Sequence, residues 1–387
     1  MYFQNRKYPT GLILIIIYIF LTLSSSLHAS RIYKPIIEDP LLEQWRWVKF
    51  PELSSKGVQC FMEDNNQTMW FGLDEGVMSY DGSEWKAYNH NNGFTNGTVR
   101  VLYLSKNGLL YAGSDSGLFV YNSVEWRLLF STKDISGLVI ESVIDIPNQG
   151  ILCATNYGLI RIHDEKTQIY TSKSQVNFLG KTHVKVKVVS DNVIVNNSFY
   201  VADVYEDVNK KIWLAIGYNN GLSGKIVQIK FPADPQSNPY FSVLYSDNPN
   251  TQFYNGAQIL QTSDDRIWVI NNQHDQGYLV FENNKLEKFF LGKQFGSDEI
   301  ANSLLQTKDG TLFIGAMGIL YTYKDNKWEL YRSPNIPIPS STRVLIYESK
   351  DGNLWIAGKR NEVYKFDYST TNSVSYTHLT LPTNREV

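Results

Sequence analysis

The chain has 387 residues and a formal net charge of −2, and hydrophobic, charged and aromatic residues make up 43%, 19% and 14% of it. The apolar content excludes a disordered chain, and the balanced charge excludes a basic surface for general nucleic-acid binding. Two cysteines, Cys60 and Cys153, are too few for a disulfide scaffold or a four-cysteine zinc site. Each lies in an apolar run, so we expect two buried thiols, and the aromatic content favours β-strands.

The first 29 residues have the pattern of an export signal. Arg6 and Lys7 precede thirteen nearly all apolar residues, 11–23, and small and polar residues then lead to Ala29. Thirteen helical residues span about 20 Å, which is short of the roughly 30 Å hydrocarbon core of a membrane. The pattern predicts a signal peptide over 1–29 that is cleaved near Ala29, with an uncleaved anchor as the alternative. In either case we expect the rest of the chain to be exported.

A motif then recurs along the chain. A turn rich in Asp, Asn and Gly is followed by a large apolar or aromatic residue, an apolar residue and usually a small one. The large residue, here called the motif residue, recurs at spacings of 41, 41, 61, 55, 45 and 42, at Trp70, Tyr111, Leu152, Trp213, Trp268, Phe313 and Trp355. Glycines in these turns, such as Gly108 and Gly310, supply the positive φ angles of tight hairpins. Each unit is therefore predicted to form four antiparallel strands.

The period predicts the architecture. One four-stranded unit cannot bury both of its faces, whereas a ring of such units can, and 40–45 residues per unit is typical of a β-propeller. We predict an all-β propeller of seven four-stranded blades over 41–370. The last unit lacks its own fourth strand, and the segment 44–50 resembles the fourth strand at 84–88, so an N-terminal strand is predicted to close the ring. The long interval contains an alternating stretch, 183–195, which predicts an inserted hairpin or a lengthened blade.

The motif series resembles the two-component regulator propeller family. Units of that family have a turn, Trp-Ile-Gly-Thr, then Gly-Leu, a Tyr-bearing strand and a final aromatic strand, and the best matches lie around Trp70, Tyr111, Phe313 and Trp355. The resemblance implies the periplasmic sensor region of a membrane-anchored receptor that responds to breakdown products of complex carbohydrates. It also implies that the parent protein carries a histidine kinase or another signalling output, which we expect to be missing from this fragment.

The C-terminal segment does not continue the repeat. Residues 374–383 resemble the translation of a sequencing-library adapter, so we interpret 374–387 as an adapter artefact. The natural protein is then expected to continue beyond about Ser373, and His378 would carry no functional information. The alternative is a genuine polar tail.

Catalytic and metal-binding patterns are sparse. The six histidines are scattered without metal-ligand spacing, and neither a Gly-x-Ser-x-Gly elbow nor a phosphate-binding glycine loop is present. Carboxylate pairs such as Asp74-Glu75, Asp264-Asp265 and Asp298-Glu299 are more typical of solvated turns than of a glycosidase pair. We therefore predict no metal ion, no cofactor and no catalytic residue in this part of the protein, which we expect not to be an enzyme.

Ligand binding is predicted on one face of the ring, where the loops between the second and third strands of each blade converge. These loops carry the amide, carboxylate, aromatic and cationic groups that bind sugar hydroxyls and sugar rings, although turns are rich in such residues anyway. The candidate ligand-binding residues are Asp74, Asp115, Tyr157, Tyr218, Asn219, His274, Lys359 and Arg360. The expected partners are an oligosaccharide and a second copy of the chain, with dimerisation through the propeller or through the missing downstream domains.

Three functions stay open at this point. The first is an exported sensor propeller from a truncated two-component receptor. The second is a secreted propeller that serves as a protein-interaction scaffold, and the third is a polysaccharide lyase or hydrolase. The fold class alone does not choose among them.

Overall fold

The structure is a computed structural model that describes residues 39–94, 97–179, 184–194, 197–217, 224–232, 237–246, 258–270, 278–282, 285–289, 295, 301, 303–333, 335–338, 344–358 and 362–368. The predicted signal peptide, 1–29, and the predicted adapter segment, 374–387, lie outside these residues. The elements described below belong to one compact unit that begins at Pro40. Within the described ranges, no helix is long and apolar enough to cross a membrane.

Strands dominate the described residues. In chain order they are β1 (Trp47–Lys49), β2 (Cys60–Glu63), β3 (Met69–Gly72), β4 (Val77–Tyr80), β5 (Trp85–Tyr88), β6 (Val99–Leu104), β7 (Leu110–Ser114), β8 (Gly117–Tyr121), β9 (Trp126–Ser131), β10 (Ile140–Ile146), β11 (Gly150–Thr155), β12 (Gly158–His163), β13 (Lys166–Thr171), β14 (Lys185–Val188), β15 (Tyr200–Glu206), β16 (Ile212–Gly217), β17 (Lys225–Lys230), β18 (Tyr240–Ser246), β19 (Gln258–Gln261), β20 (Ile267–Ile270), β21 (Tyr278–Glu282), β22 (Lys285–Phe289), β23 (Ser303–Gln306), β24 (Leu312–Ala316), β25 (Ile319–Lys324), β26 (Lys327–Arg332), β27 (Val344–Glu348), β28 (Leu354–Gly358) and β29 (Val363–Phe366). Short 3-10 helices are Pro40–Leu42, Gln44–Arg46, Pro51–Leu53, His90–Asn92 and Val176–Leu179.

These strands form seven sheets, which confirms the seven predicted blades. Blades 1 to 6 are β2–β5, β6–β9, β10–β14, β15–β18, β19–β22 and β23–β26, and blade 7 is β27–β29 with β1. The first strand of each blade contacts the first strand of the next, and β27 contacts β2, so the blades form a closed ring around their first strands.

The core lies between the blades. Buried apolar side chains of the described residues form seven clusters, and each cluster fills the space between two adjacent blades. The motif residues belong to these clusters: Trp70, Trp268 and Trp355 are each 2% exposed. Because a sheet with two apolar faces must be covered on both sides, stacking in a ring satisfies every blade at once. The motif residues are therefore packing residues, as predicted.

Blade 7 is closed by the N-terminal strand. β1 pairs antiparallel with β29, with Trp47 opposite Phe366 and Lys49 opposite Tyr364. The Trp47 ring lies 4.7 Å from the Phe366 ring, and its indole N–H donates to the carbonyl of Leu41 at 3.1 Å. The predicted closure is confirmed, and it leaves the two ends of the propeller side by side.

Blade 3 departs from the repeat by one strand. The fifth strand β14 pairs parallel with β13, with Gln168 opposite Lys185 and Thr171 opposite Val188. A lengthened blade is therefore correct, whereas an inserted hairpin is wrong, because the chain returns along the outer edge in the same direction as β13. Blade 3 therefore has the four predicted antiparallel strands and β14 as an additional fifth strand.

The thiols differ from each other. Cys153 is fully buried between blades 2 and 3, as predicted. Cys60 is half-buried rather than buried, because it lies on the innermost strand of blade 1. Burial raises the pKa of Cys60 to about 12 and raises that of Cys153 as well, so both stay protonated and unreactive at neutral pH.

Candidate functional site

In blades 1, 2, 3 and 6, whose loops between the second and third strands are described, these loops lie at one end of the ring, here called the loop face. Since the strands of each blade are antiparallel, the turns between first and second strands lie at the opposite end, here called the turn face. On the loop face, the fourth residue after the motif residue is Asp74 in blade 1, Asp115 in blade 2 and Asn156 in blade 3. These three side chains occupy equivalent positions, and each is bonded within its own blade.

Asp74 fastens its loop to the segment that enters blade 1. Its Oδ1 accepts a hydrogen bond from Gln59 Nε2 at 2.5 Å, and its backbone N–H donates to the carbonyl of Lys56 at 3.3 Å. Gly57 lies against the Asp74 carboxylate at a φ of 68°, where a Cβ would collide with that carboxylate. A glycine is therefore required beside this predicted site residue.

Asp115 is paired in the corresponding way in blade 2. Its Oδ1 lies 3.0 Å from Arg100 Nε, and its side chain stays 37% exposed. The Asp115 carbonyl accepts the Thr132 hydroxyl at 2.6 Å. Asp115 and Arg100 thus present a half-exposed ion pair on the loop face, which could still bind a hydroxyl group of a ligand.

Tyr157 has a different environment in blade 3. Its hydroxyl donates to the carbonyl of Ser136 at 3.4 Å, and its ring stacks on that of Phe178, with centroids 6.0 Å apart and planes 20° from parallel. Phe178 is 61% exposed. Sequence analysis missed Phe178, although an aromatic residue directly after the largely polar stretch 172–177 was the signal that could have identified it.

The other predicted site residues lie outside the described residues. They are Tyr218, Asn219, His274, Lys359 and Arg360. The structure thus places Asp74, Asp115 and Tyr157 on one face of the ring, each on its own blade.

Among the described residues of the turn face, two clefts occur that sequence analysis did not anticipate. They lie between equivalent pairs of turns, one between blades 1 and 2 with a volume of about 420 Å³ and one between blades 5 and 6 with about 300 Å³. The first is lined by residues including Asp64, Asn66, Ser79, Glu84, Lys86 and Tyr121. Residues that line the second include Asp264, Arg266, Gln306, Asp309, Lys324 and Asn326. Because the clefts occupy equivalent positions, they are a consequence of the repeat.

Two acidic groups of the second cleft, Asp264 and Asp309, are already paired with basic side chains. Burial alone would raise the pKa of Asp264, but hydrogen bonds from Arg266 and Thr262 outweigh it and hold this pKa below its usual value. The same opposition lowers the pKa of Asp309, which lies beside Lys324 and Thr307. Both carboxyl groups are ionised at neutral pH and do not serve as proton donors there.

Asp203, on the innermost strand of blade 4, is a half-buried carboxyl group whose pKa is raised to about 6 by partial loss of water. Its two oxygens accept the backbone N–H groups of Ile259 at 2.7 Å and Val204 at 2.8 Å. Innermost strands are sheet edges, so some of their N–H groups need acceptors other than a neighbouring strand of their own blade. The perturbed pKa of Asp203 thus marks a structural bond between blades 4 and 5, although such shifts often indicate functional sites.

No family model matches the chain, and no curated protein matches it. Solved structures match its fold. The extracellular domain of BT3049 from B. thetaiotaomicron, assigned to a hybrid two-component system, has a TM-score of 0.60 at 16% identity over 88% of this chain and 45% of that chain. The extracellular domain of BT4673 comes from the same organism and is also assigned to a hybrid two-component system. It has a TM-score of 0.56 at 16% identity over 82% of this chain and 39% of that chain.

A propeller enzyme is also similar. A catalytically inactive virginiamycin B lyase from Staphylococcus aureus, solved with quinupristin, has a TM-score of 0.59 at 12% identity and covers 82% of this chain and 98% of its own. This chain spans less than half the length of the two bacterial extracellular domains. The neighbours include the class of two-component extracellular domain that the motif series indicated, and they establish that the chain folds as a seven-bladed β-propeller.

Proposed function

We propose that this chain is the extracytoplasmic ligand-sensing propeller of a bacterial two-component receptor, and that it responds to oligosaccharides released from complex carbohydrates. The observation that carries the proposal is the closed seven-bladed ring, which resembles two-component extracellular domains over 82% and 88% of this chain. The repeat motifs and the export pattern of 1–29 support the same function. An exported, periplasmic location and a membrane-anchored parent protein belong to this proposal.

The ring is suited to bind a ligand as a rigid body. An apolar cluster fills each junction between adjacent blades, so a ligand on the loop face would meet a preorganised surface. A signal then requires that the ligand bind more tightly to one arrangement of the parent protein than to another. That arrangement is either the packing of the propeller on a neighbouring domain or its homodimerisation, and both stay predictions.

Binding without turnover is the proposed activity of this region. The similarity to a lyase shows that enzymes also occur among β-propellers. The described carboxylates of the loop face argue for binding, since Asp74 and Asp115 are each bonded to a side chain of their own blade. Replacing either carboxylate by the matching amide should therefore weaken ligand binding, and no turnover of the ligand is expected in the wild type or in either variant.

The test uses the purified chain over 30–373 and four hexasaccharides: cellohexaose, xylohexaose, mannohexaose and maltohexaose. We expect saturable binding of at least one of them by isothermal titration calorimetry, with the sugar recovered intact by chromatography. Cleavage of the sugar would move the protein to the enzyme class. Failure of all four to bind would contradict the carbohydrate-sensor proposal and favour the interaction scaffold.

A second experiment addresses the parent protein. Sequencing the native locus across codon 373 should reveal a reading frame that continues to a membrane helix and a signalling output. A stop codon just after blade 7 would contradict the receptor, and native codons for 374–387 would refute the adapter interpretation.

A further inference from the structure

The geometry points to a sugar-stacking platform on the loop face, formed by the rings of Tyr157 and Phe178. This inference rests on the proposed function and deepens it, because it names the surface on which one pyranose ring of the oligosaccharide would lie. Pyranose rings carry an apolar face of C–H groups, and flat aromatic rings bind such faces by dispersion and by their π-electron density. Phe178 supplies the exposed ring, and Tyr157 supports it with its hydroxyl at the edge.

Phe178 stays largely exposed although it stacks on Tyr157. This side chain is 61% exposed, while its neighbour Leu179 is fully buried in the cluster between blades 2 and 3. An exposed aromatic ring gives a ligand an apolar surface to cover, and a ring that is already held in place loses little entropy on binding. Phe178 is held in place, as the surrounding bonds show.

Gln175 fixes the turn that carries Phe178. Its side chain is 7% exposed, and its Oε1 accepts the backbone N–H of Phe199 at 2.7 Å and the Ser172 hydroxyl at 2.8 Å. Its Nε2 donates at 3.1 Å to the carbonyl of Asn156, which directly precedes Tyr157. One buried amide thus ties the Phe178 turn, the Tyr157 loop and the entry to blade 4 into a single unit.

The Tyr157 loop is fixed from its other side as well. Asn156 Nδ2 donates to the carbonyl of Gly137 at 2.7 Å, and its Oδ1 accepts the backbone N–H of Val139 at 2.9 Å. Both rings therefore stand on backbone that is ordered before any ligand arrives. Preorganisation of this kind reduces the entropy that binding would otherwise cost.

The platform belongs to the part of the ring that departs from the repeat. Phe178 lies in the connection from β13 to the additional strand β14, which occurs in blade 3 of the described ring. The clefts of the turn face recur with the repeat, whereas this aromatic pair arises from an insertion. A feature that the fold does not require is the stronger candidate for specificity.

The experiment compares variants of the purified chain over 30–373 against the four hexasaccharides named above. Phe178→Ala should weaken binding of the bound hexasaccharide about tenfold by calorimetry, and Phe178→Leu should weaken it nearly as much, because a branched side chain lacks the flat face. Phe178→Trp should retain binding. Tyr240→Ala is the matched control, because Tyr240 is also an exposed aromatic residue, at 68%, but lies on the outer strand of blade 4.

The outcomes separate this inference from the proposed function. If the wild-type chain binds a hexasaccharide and Phe178→Ala binds it within twofold of wild type at an unchanged melting temperature, the platform is refuted while the sensor proposal stands. An equal loss of affinity in Phe178→Ala and Tyr240→Ala would refute the platform too. If the wild-type chain binds none of the four sugars, both the platform and the carbohydrate sensor fall.

Discussion

Blades 6 and 7 follow nearly the same sequence pattern, but only blade 6 is continuous in the chain. Its third and fourth strands are joined by a tight turn at Asp325 and Asn326, with φ angles of 50° and 60°. Their pairing runs over all of Ile319–Lys324, whereas β1 pairs with β29 only over Trp47–Lys49. Blade 7 therefore has to replace a covalent turn by side-chain contacts.

Trp47 supplies most of that replacement. By register it is the equivalent of Trp328 in blade 6, since Trp47 lies opposite Phe366 and Trp328 opposite Tyr323. Trp47 is 9% exposed and is bonded through its indole N–H, whereas Trp328 is only half-buried. A strand that arrives from a distant part of the sequence is thus anchored by a more deeply buried side chain than a strand that arrives through a turn.

The largest test of this comparison removes the closing strand. Deleting residues 41–52 should expose β29 and the cluster between blades 6 and 7, and should lower the melting temperature by about 10 °C or more. Differential scanning calorimetry measures the change. As a control, a circular permutant that links Tyr368 to Pro40 and opens the chain between Asp325 and Asn326 should melt close to the wild type. An unchanged melting curve for the deletion would refute the closure.

The next test is a matched pair of tryptophan substitutions. Trp47→Ala removes a buried ring and leaves the Leu41 carbonyl without its indole donor, so we expect a loss of about 3–5 kcal/mol in the free energy of unfolding. Trp328→Ala should cost about half as much, because that ring is already partly in water. Urea denaturation of both variants gives the two values. Equal losses would show that the anchor is not specific to the blade that lacks a turn.

A smaller effect is expected from acid. Burial alone would raise the pKa of Asp351 in blade 7, but hydrogen bonds from Lys365 and Ser349 outweigh it and lower this pKa to about 2. Because the folded pKa lies below the unfolded one, the stabilisation is present above about pH 4 and is lost as the pH falls towards 2. Water screens this half-exposed group, so its contribution should stay below about 1 kcal/mol.

Asp351→Asn tests this acid dependence. The variant should show a shallower fall of stability between pH 5 and 2 than the wild type, measured by urea denaturation at each pH. Asp309→Asn in blade 6 is the counterpart, since Asp309 is paired with Lys324 in the same way. A wild-type slope in both variants would assign the acid sensitivity to other groups.

The smallest effect is expected at the edge of the closing strand. Lys49 on β1 forms an ion pair with Glu362, and both side chains are 46% exposed. Lys49→Met should therefore change the free energy of unfolding by no more than about 0.5 kcal/mol. A loss as large as that of Trp47→Ala would mean that charge pairing, and not burial, holds blade 7 together.

Local pattern was sufficient to predict the blades. The motif residues had to be buried, and the turns before them required glycine or another residue that tolerates positive φ, as Gly108, Gly310 and Gly352 confirm at 80°, 85° and 81°. The closing strand was predictable because the fourth strand was missing from the last unit. The sequence did not predict which tryptophan of the segment 44–50 anchors the strand, because the register of β1 depends on its distant partner β29. Trp45 is in fact 70% exposed.

The candidate site was predictable only in part. Sequence analysis identified loops that carry Asp74, Asp115 and Tyr157, since the position of a loop follows from the repeat. It could not show that Asp74 is bonded to Gln59, or that Asp115 is paired with Arg100, because those partners lie near the start of the first strand of each blade. It also passed over Phe178, because the sequence around this residue gives no sign of the tyrosine ring on which it stacks.

The sequence by itself determined the local structure of each unit, since each four-stranded unit needs its own turns and strands that are apolar on both faces. The number of blades and the closure of the ring followed from those constraints, because a repeat can bury its surface only against copies of itself. The parallel direction of β14, the bonds of Gln175 and the stacking of Tyr157 on Phe178 join residues that no local pattern relates. These contacts were decided only by the tertiary structure of blade 3, because the segment from β13 to β14 and the loop of Tyr157 come together only in the folded blade.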